Sequence, residues 1–336
     1  MTPSEAAAAV QAAKSAEDVL GPNDEERPHR LRELSKLLHP DAGGDGVAFA
    51  RLQELLAVEA KKAQAKAGVF QIASKIRTYD VNGLAFRGRI ANLYRCTYIR
   101  DGATKEGLLK LPRSPKDNDL MQAEGSALRR VRDSDDDRRV FYVRLEDSFK
   151  HRDVDTRADR RAHVTRALDG FVSLAEVREV YPEGIDARDL AWMWRRAYAA
   201  VSLLHELGMV HGALVPEHIL IHPEQHGLQL CGLTSSVEIG GTIKALGGRS
   251  YLYPPEVLRK QPVDTTTDLY TLGKTMESML RLDQPRQFFS FIKGCTFERQ
   301  AARPQDAKEL LGELDDLLHR LYGPRKFREF KMPARA

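Results

Sequence analysis

The residues best suited to chemistry in this 336-residue chain are its histidines, and His205, His211, His218, His222 and His226 crowd into one short stretch. Neutral imidazole binds zinc and other borderline metals, so the run invites a metal-site reading. Their placement argues against one. His211 opens a loop and His222 and His226 fall in a predicted hairpin, so no metal site is expected. Cys96, Cys231 and Cys295 are odd in number, far apart and without paired spacing. That excludes a disulfide framework or zinc ribbon and fits a reducing compartment. A second reactive-looking cluster, His39-Pro40-Asp41, stands alone near the N-terminus.

The segment around the histidines is more informative than the imidazoles. It reads His211-Gly212-Ala213-Leu214-Val215-Pro216-Glu217-His218, then Ile219-Leu220-Ile221, then Gln229-Leu230-Cys231-Gly232-Leu233-Thr234. This resembles the catalytic loop of protein kinases, H-R-D-L-K-P-E-N, followed by a hairpin and D-F-G. The frame matches and the chemistry differs. The resemblance puts Ala213 at the catalytic base, Val215 at the loop lysine, His218 at the loop asparagine and Gly232 at the metal-binding aspartate. In kinases those groups orient the substrate hydroxyl, steady the phosphoryl group and hold Mg²⁺. Ala213, Val215 and Gly232 can do none of this, and His218 is a poor ligand for an ion that wants hard oxygens. The expectation is a pseudokinase: no enzyme, no catalytic residue, and no cofactor beyond weak, metal-independent nucleotide binding.

Other elements of the kinase frame should position this loop. Leu108-Leu109-Lys110 reads as a strand and Glu124 lies on the following helix, at the places of the kinase lysine and its glutamate partner. Phe86-Arg87-Gly88-Arg89-Ile90-Ala91 lies where a Gly-rich phosphate loop belongs, but only Gly88 survives. A bulky Phe86 and the Cβ of Ala91 should hinder a phosphate, because glycines let backbone N–H groups approach it. Lys110, Glu124 and Gly88 therefore read as a vestigial nucleotide site, the ion pair as a strut. Asp189 starts a long helix ended by Gly208. The resemblance also implies that His211, Leu233 and Leu128 fill apolar spine positions, that Asp268 braces the loop and that Glu256 pairs with Arg303; these are expected to be structural.

The N-terminal segment has its own pattern. Leu31, Leu34, Leu37 and Leu38 line one face of a helix made basic by Arg30, Arg32 and Lys36. His39-Pro40-Asp41 and a glycine-rich turn follow, then a second apolar face of Phe49, Leu52, Leu55 and Leu56. From Asp18 to about Lys62 this resembles a J domain. The resemblance implies docking on a DnaK-type heat-shock chaperone through His39, Pro40, Asp41, Arg30, Arg32 and Lys36.

The fold expected is α+β: a small N-terminal helical hairpin followed by a two-lobed protein-kinase-like fold. The boundaries are 1–62 for the helical domain, 63–75 for a helical linker, 76–168 and 169–322 for the two lobes, and 323–336 for a basic, loosely ordered tail. Charged stretches at Asp133 to Arg139 and His151 to Arg161 read as solvated loops. With 42% hydrophobic and 30% charged residues and a net charge of +4, the chain reads as soluble and cytoplasmic, without nucleic-acid or membrane partners. No apolar run reaches membrane-spanning length and no signal peptide is apparent. The function expected is a co-chaperone adaptor that recruits the chaperone and binds an unidentified client. The alternatives are a divergent kinase-fold transferase using His218 or Glu217, and a scaffold with a vestigial J domain.

Overall fold

The computed structural model describes residues 1–22, 26–67, 69–153, 157–246 and 248–332. Gly68 of the expected linker, residues 154–156 of the second charged stretch and residues 333–336 of the tail lie outside them, as does the side chain of Asp41. The chain divides into two compact units, residues 1–71 with 80–84, and residues 72–79 with 85–336.

The first unit is helical. Thr2 and Glu5 form a reciprocal capping box at α1 (Pro3–Ala12), and Ser15 and Asp18 form another at α2 (Ala16–Leu20). Both caps satisfy N–H groups that a helix start leaves open. Ala6 and Val10 of α1 are fully buried against Leu38 and Leu52, from α3 (Arg27–Leu38) and α4 (Gly46–Ala67). Between α3 and α4, Pro40–Ala42 makes one 3-10 turn, and the His39 ring meets Phe49 edge-on at 5.1 Å. Arg30, Arg32 and Lys36 are exposed.

The expected helical linker over 63–75 is corrected. Helix α4 ends at Ala67, and Val69–Ala73 form strand β1. Val69, Phe70 and Ile72 favour strand. Ile72 is buried while Gln71 and Ala73 are exposed, the alternation of a half-buried strand.

Next come β2 (Thr78–Arg87), β3 (Ala91–Arg100), β4 (Ala103–Pro112), helix α5 (Asn118–Asp133), β5 (Leu145–Arg152) and β6 (Asp159–Arg166). The six-stranded sheet has the order β1-β2-β3-β4-β6-β5. Lys110 of β4 stands opposite His163 of β6. Helix α5 lies close on β6, because Gly125 leaves room: a Cβ there would be 2.8 Å from the His163 ring.

The helical lobe follows: β7 (Val172–Ser173), α6 (Leu174–Val180), α7 (Ala187–Glu206), β8 (Met209–Val210), β9 (Ile219–His222), β10 (Gly227–Leu230), β11 (Val237–Glu238), α8 (Pro255–Leu258), α9 (Thr265–Met279), α10 (Arg286–Cys295) and α11 (Ala307–Tyr322). Helix α7 is the axis. Asp186 caps it, and Leu190, Met193, Trp194, Tyr198, Val201 and Leu204 are fully buried. Leu128 and Leu233 share its core. The whole is mixed α+β with a strand-rich lobe before a helix-rich one.

One expected solvated loop and the tail expected to be loosely ordered turn out to be anchored, and within the other charged stretch His151 and Arg152 end strand β5 and Asp159 to Arg161 begin β6. Arg138 bonds both carboxylate oxygens of Glu206 and the Ser202 hydroxyl, and it pairs with Asp136, so Asp133 to Arg139 is pinned to α7. The tail also docks. Phe330 is 5% exposed in the helical core, Arg328 pairs with Asp189, and Phe327 stacks on His226 at 4.6 Å, which itself stacks on Trp192 at 4.4 Å. Aromatic rings in a basic tail give it apolar area to bury, which its charge alone concealed.

Candidate functional site

Asp268, in the first turn of α9, is completely buried and reaches the loop that starts at His211. One oxygen accepts from the His211 N–H at 2.7 Å, the other from the Gly212 N–H at 2.9 Å. His205 Nε2 lies 3.0 Å from the same carboxylate. A buried carboxylate therefore fixes two successive backbone amides, and the loop is held from beneath. His211 Nε2 donates to the Cys231 carbonyl at 3.1 Å while its Nδ1 accepts from the Ala213 N–H. Burial pushes this imidazole down to about 4, Asp268 offsetting only part of the effect.

That shift has a sign. Between about 4 and the ordinary 6.5 the unfolded chain binds the proton and the native state does not. Stability is therefore full above 6.5 and drains as pH falls toward 4. A His211→Asn variant should unfold with a shallower dependence on pH over that window. Identical slopes in denaturant titrations at several pH values would remove His211 from the account.

Behind the loop, Glu256 and Arg303 make a bidentate pair at 2.6 and 3.0 Å, with Thr267 donating to the same carboxylate at 3.0 Å. Arg303 also lies over the Tyr270 ring.

At the front of the loop is a cavity of ≈ 310 Å³ lined from both lobes by Gly88, Lys110, Glu124, His163, Val215, His218, Cys231 and Gly232, among others. Lys110 Nζ lies 2.7 Å from both oxygens of Glu124. Burial raises the Glu124 carboxyl, but the Lys110 ammonium beside it outweighs that effect, and the group ends below its ordinary range. His163 Nε2 donates to the Met121 carbonyl at 2.6 Å, and burial keeps the ring neutral by lowering its pKa. His218 Nδ1 donates to the Ala213 carbonyl at 2.8 Å, which leaves its Nε2 as a lone-pair acceptor. Burial lowers its pKa as well. Cys231 is inert as a nucleophile, since burial pushes its thiol up to about 12.

Gly232 and His218 explain each other. Gly232 sits in the left-handed region at φ +77, and a Cβ there would lie 2.5 Å from Cγ and Cδ2 of His218. The imidazole fills the space an aspartate side chain would need. The two remaining cleft carboxylates are committed, Glu124 to Lys110 and Glu217 to Arg249 Nε at 2.7 Å. The residues present do not fit a Mg²⁺ ion, which wants several unencumbered oxygens. Among the described residues there is also no group of three or more His, Cys, Asp or Glu placed to hold a metal.

The structure thus gathers Lys110, Glu124, Gly88, Val215, His218 and Gly232 at one cavity. Ala213 is not in that lining: it is fully buried and reaches the site only through the carbonyl that accepts from His218. His211, Leu233, Glu256, Asp268 and Arg303 also lie outside the lining. Phe86 stands at the rim, 57% exposed, and crowds the cleft less than its size suggests. Sequence reasoning missed His163, Arg87, Arg89 and Arg166 as lining residues. Arg87 and Arg89 had a signal in flanking Gly88; Arg166 had none.

Comparison with known proteins bears on this cleft. Residues 148–233 match the Lipopolysaccharide kinase (Kdo/WaaP) family. The serine/threonine-protein kinase Sgk1 of Rattus norvegicus is 31% identical over 127 residues, covering 37% of this chain and 29% of that protein. Sgk1 of Xenopus tropicalis and of Bos taurus are each 36% identical over 86 residues, 24% of this chain and 20% of theirs. The chain spans less than a third of the length of these relatives.

The fold is protein-kinase-like. The similarity overturns the expectation of a catalytically inactive adaptor: it is to kinases, and it points to an enzyme of the kinase fold. The pseudokinase, J-domain and chaperone readings are corrected with it, since the family match lies wholly outside residues 1–62 and leads to kinases, not to co-chaperones. Among the described residues no helix is long and apolar enough to cross a membrane.

Proposed function

We propose that the protein is a divergent kinase-fold transferase that binds a nucleotide in the cavity between its lobes and uses His218 where other kinases use a carboxylate. One observation carries this: a neutral imidazole with its Nε2 lone pair free lines the same cavity as an ammonium fixed by a buried glutamate. Lys110 uses two of its three N–H bonds on Glu124 and keeps one for an anion. A substrate hydroxyl would attack the terminal phosphorus, its proton passing to His218 Nε2 as the bond to the leaving diphosphate breaks. The diphosphate departs with the electron pair beside Lys110. Without the two aspartates, turnover should be slow, since each lost transition-state contact of this kind costs on the order of 10²–10³ in rate. The family match favours a saccharide hydroxyl as acceptor, and Sgk1 a serine or threonine hydroxyl.

The test is transfer of label from γ-labelled ATP to saccharide and peptide acceptors and to the chain itself. Wild type should transfer, and His218→Gln should be slower by about a hundredfold, the usual worth of a general base. Because the His218 pKa is lowered, the wild-type rate should hold steady at neutral pH and fall only as pH drops below 6.5. That acid limb should vanish in His218→Gln. No label transfer by wild type to any acceptor, or transfer unchanged in Lys110→Ala, would end the proposal.

A further inference from the structure

The same cavity is unusually cationic. Arg87 and Arg89 flank Gly88 on the turn between β2 and β3, Arg166 closes β6, and Lys110 stands at the floor; all four line it. Both acids lining it are neutralised in place, Glu124 by Lys110 and Glu217 by Arg249. Arg87, Arg89 and Arg166 are exposed, and no ion pair involves them among the described residues. Gly88 lets the turn fold tightly: a Cβ on it would sit 2.2 Å from the Ala91 carbonyl oxygen. So a pair of guanidinium groups is carried on a close turn in the lining of the cavity, beside Arg166, in a cleft whose two carboxylates are already paired.

We infer that the arginines of this turn, with Arg166, take over the charge neutralisation that a metal ion provides elsewhere, so that the cleft binds the metal-free nucleoside triphosphate and Mg²⁺ opposes binding. This rests on the transferase reading only for the identity of the ligand. The physical reason is competition. Mg²⁺ in solution coordinates the β- and γ-phosphate oxygens and removes two charges from the ligand. A cleft with carboxylate ligands gains from the metal complex. A cleft with guanidinium donors loses, because Arg recognises phosphate by paired N–H bonds to those same oxygens. Apolar lining residues, among them Ile90, Ala91, Leu93, Leu128 and Val143, suit a flat base.

The experiment is calorimetric titration of the full chain with ATP, ADP, AMP and adenosine, each in EDTA and again in millimolar Mg²⁺. Affinity should rise in the order adenosine, AMP, ADP, ATP without metal, and ATP should bind less tightly when Mg²⁺ is added. Arg89→Ala should weaken metal-free ATP about tenfold, the worth of one hydrogen bond to a charged group, and leave adenosine unchanged. Arg89 is exposed, so the variant should fold; a matching melting temperature checks it. ATP that binds only with Mg²⁺, or no more tightly than adenosine, overturns the inference. The two readings fail separately. Mg²⁺-dependent binding with label transfer would leave the transferase standing and remove the arginine mechanism. Metal-free binding without transfer would do the reverse.

Discussion

Arg303→Met should lower the stability of the helical lobe by about 3–5 kcal/mol, the usual consequence of stripping one partner from a buried ion pair. Arg303 is fully enclosed and Glu256 is 4% exposed by side chain, so water cannot repair the loss. Glu256 would keep only the Thr267 hydroxyl. The Arg303 side chain also donates to the Phe297 and Glu298 carbonyls, which would lose that donor. Replacing both partners, Arg303→Met with Glu256→Met, should recover much of the deficit, because no uncompensated charge remains. Urea unfolding followed by circular dichroism measures both variants. A single-variant loss below about 1 kcal/mol, the range of exposed pairs, would show that the pair does not hold the lobe together.

Gly232→Asp, which restores the residue of the kinase pattern, should damage the protein rather than repair it. The backbone there is left-handed, a conformation that costs a side chain about 1–3 kcal/mol, and the new Cβ would meet the His218 ring at 2.5 Å. Overpacking adds about 1–3 kcal/mol. Adding His218→Asn should relieve the steric part and leave the conformational part. The double variant should melt above the single one, and it alone should gain Mg²⁺-dependent nucleotide binding, since it supplies two oxygen ligands in place of an imidazole. Equal melting temperatures for the two variants would show that His218 is free to move aside.

Much of the frame was legible along the chain because kinase-like landmarks are local strings. His211 to His218, Gln229 to Thr234, and the segments of Lys110 and Glu124 are each short runs, and the structure brings Val215, His218, Cys231, Gly232, Lys110 and Glu124 from them to one cavity. The helical character of the N-terminal unit was legible from spaced leucines for the same reason. Its use was not: His39 shares a surface recess with Arg32 and Lys36, but a three-residue string does not name what would fill it, and the comparisons lead to kinases. Gly232, Ala213 and Val215 stand where the kinase pattern has an aspartate, a base and a lysine. Inferring inactivity from them was the error, because a missing group says nothing of what has moved into its place.

The sequence by itself determined which elements form. Capping pairs such as Thr2 with Glu5 and apolar periodicity in α7 act over a few residues, and local propensity decides them. Tertiary structure alone decided three things. The first is that the His218 ring occupies the space a side chain at Gly232 would need. The second is that Arg166 lines the same cavity as Arg87 and Arg89. The third is that Phe330 of the tail is buried in the helical core. Each depends on groups separated along the chain being brought to one place. Such proximity follows from how whole elements pack, which no local pattern encodes.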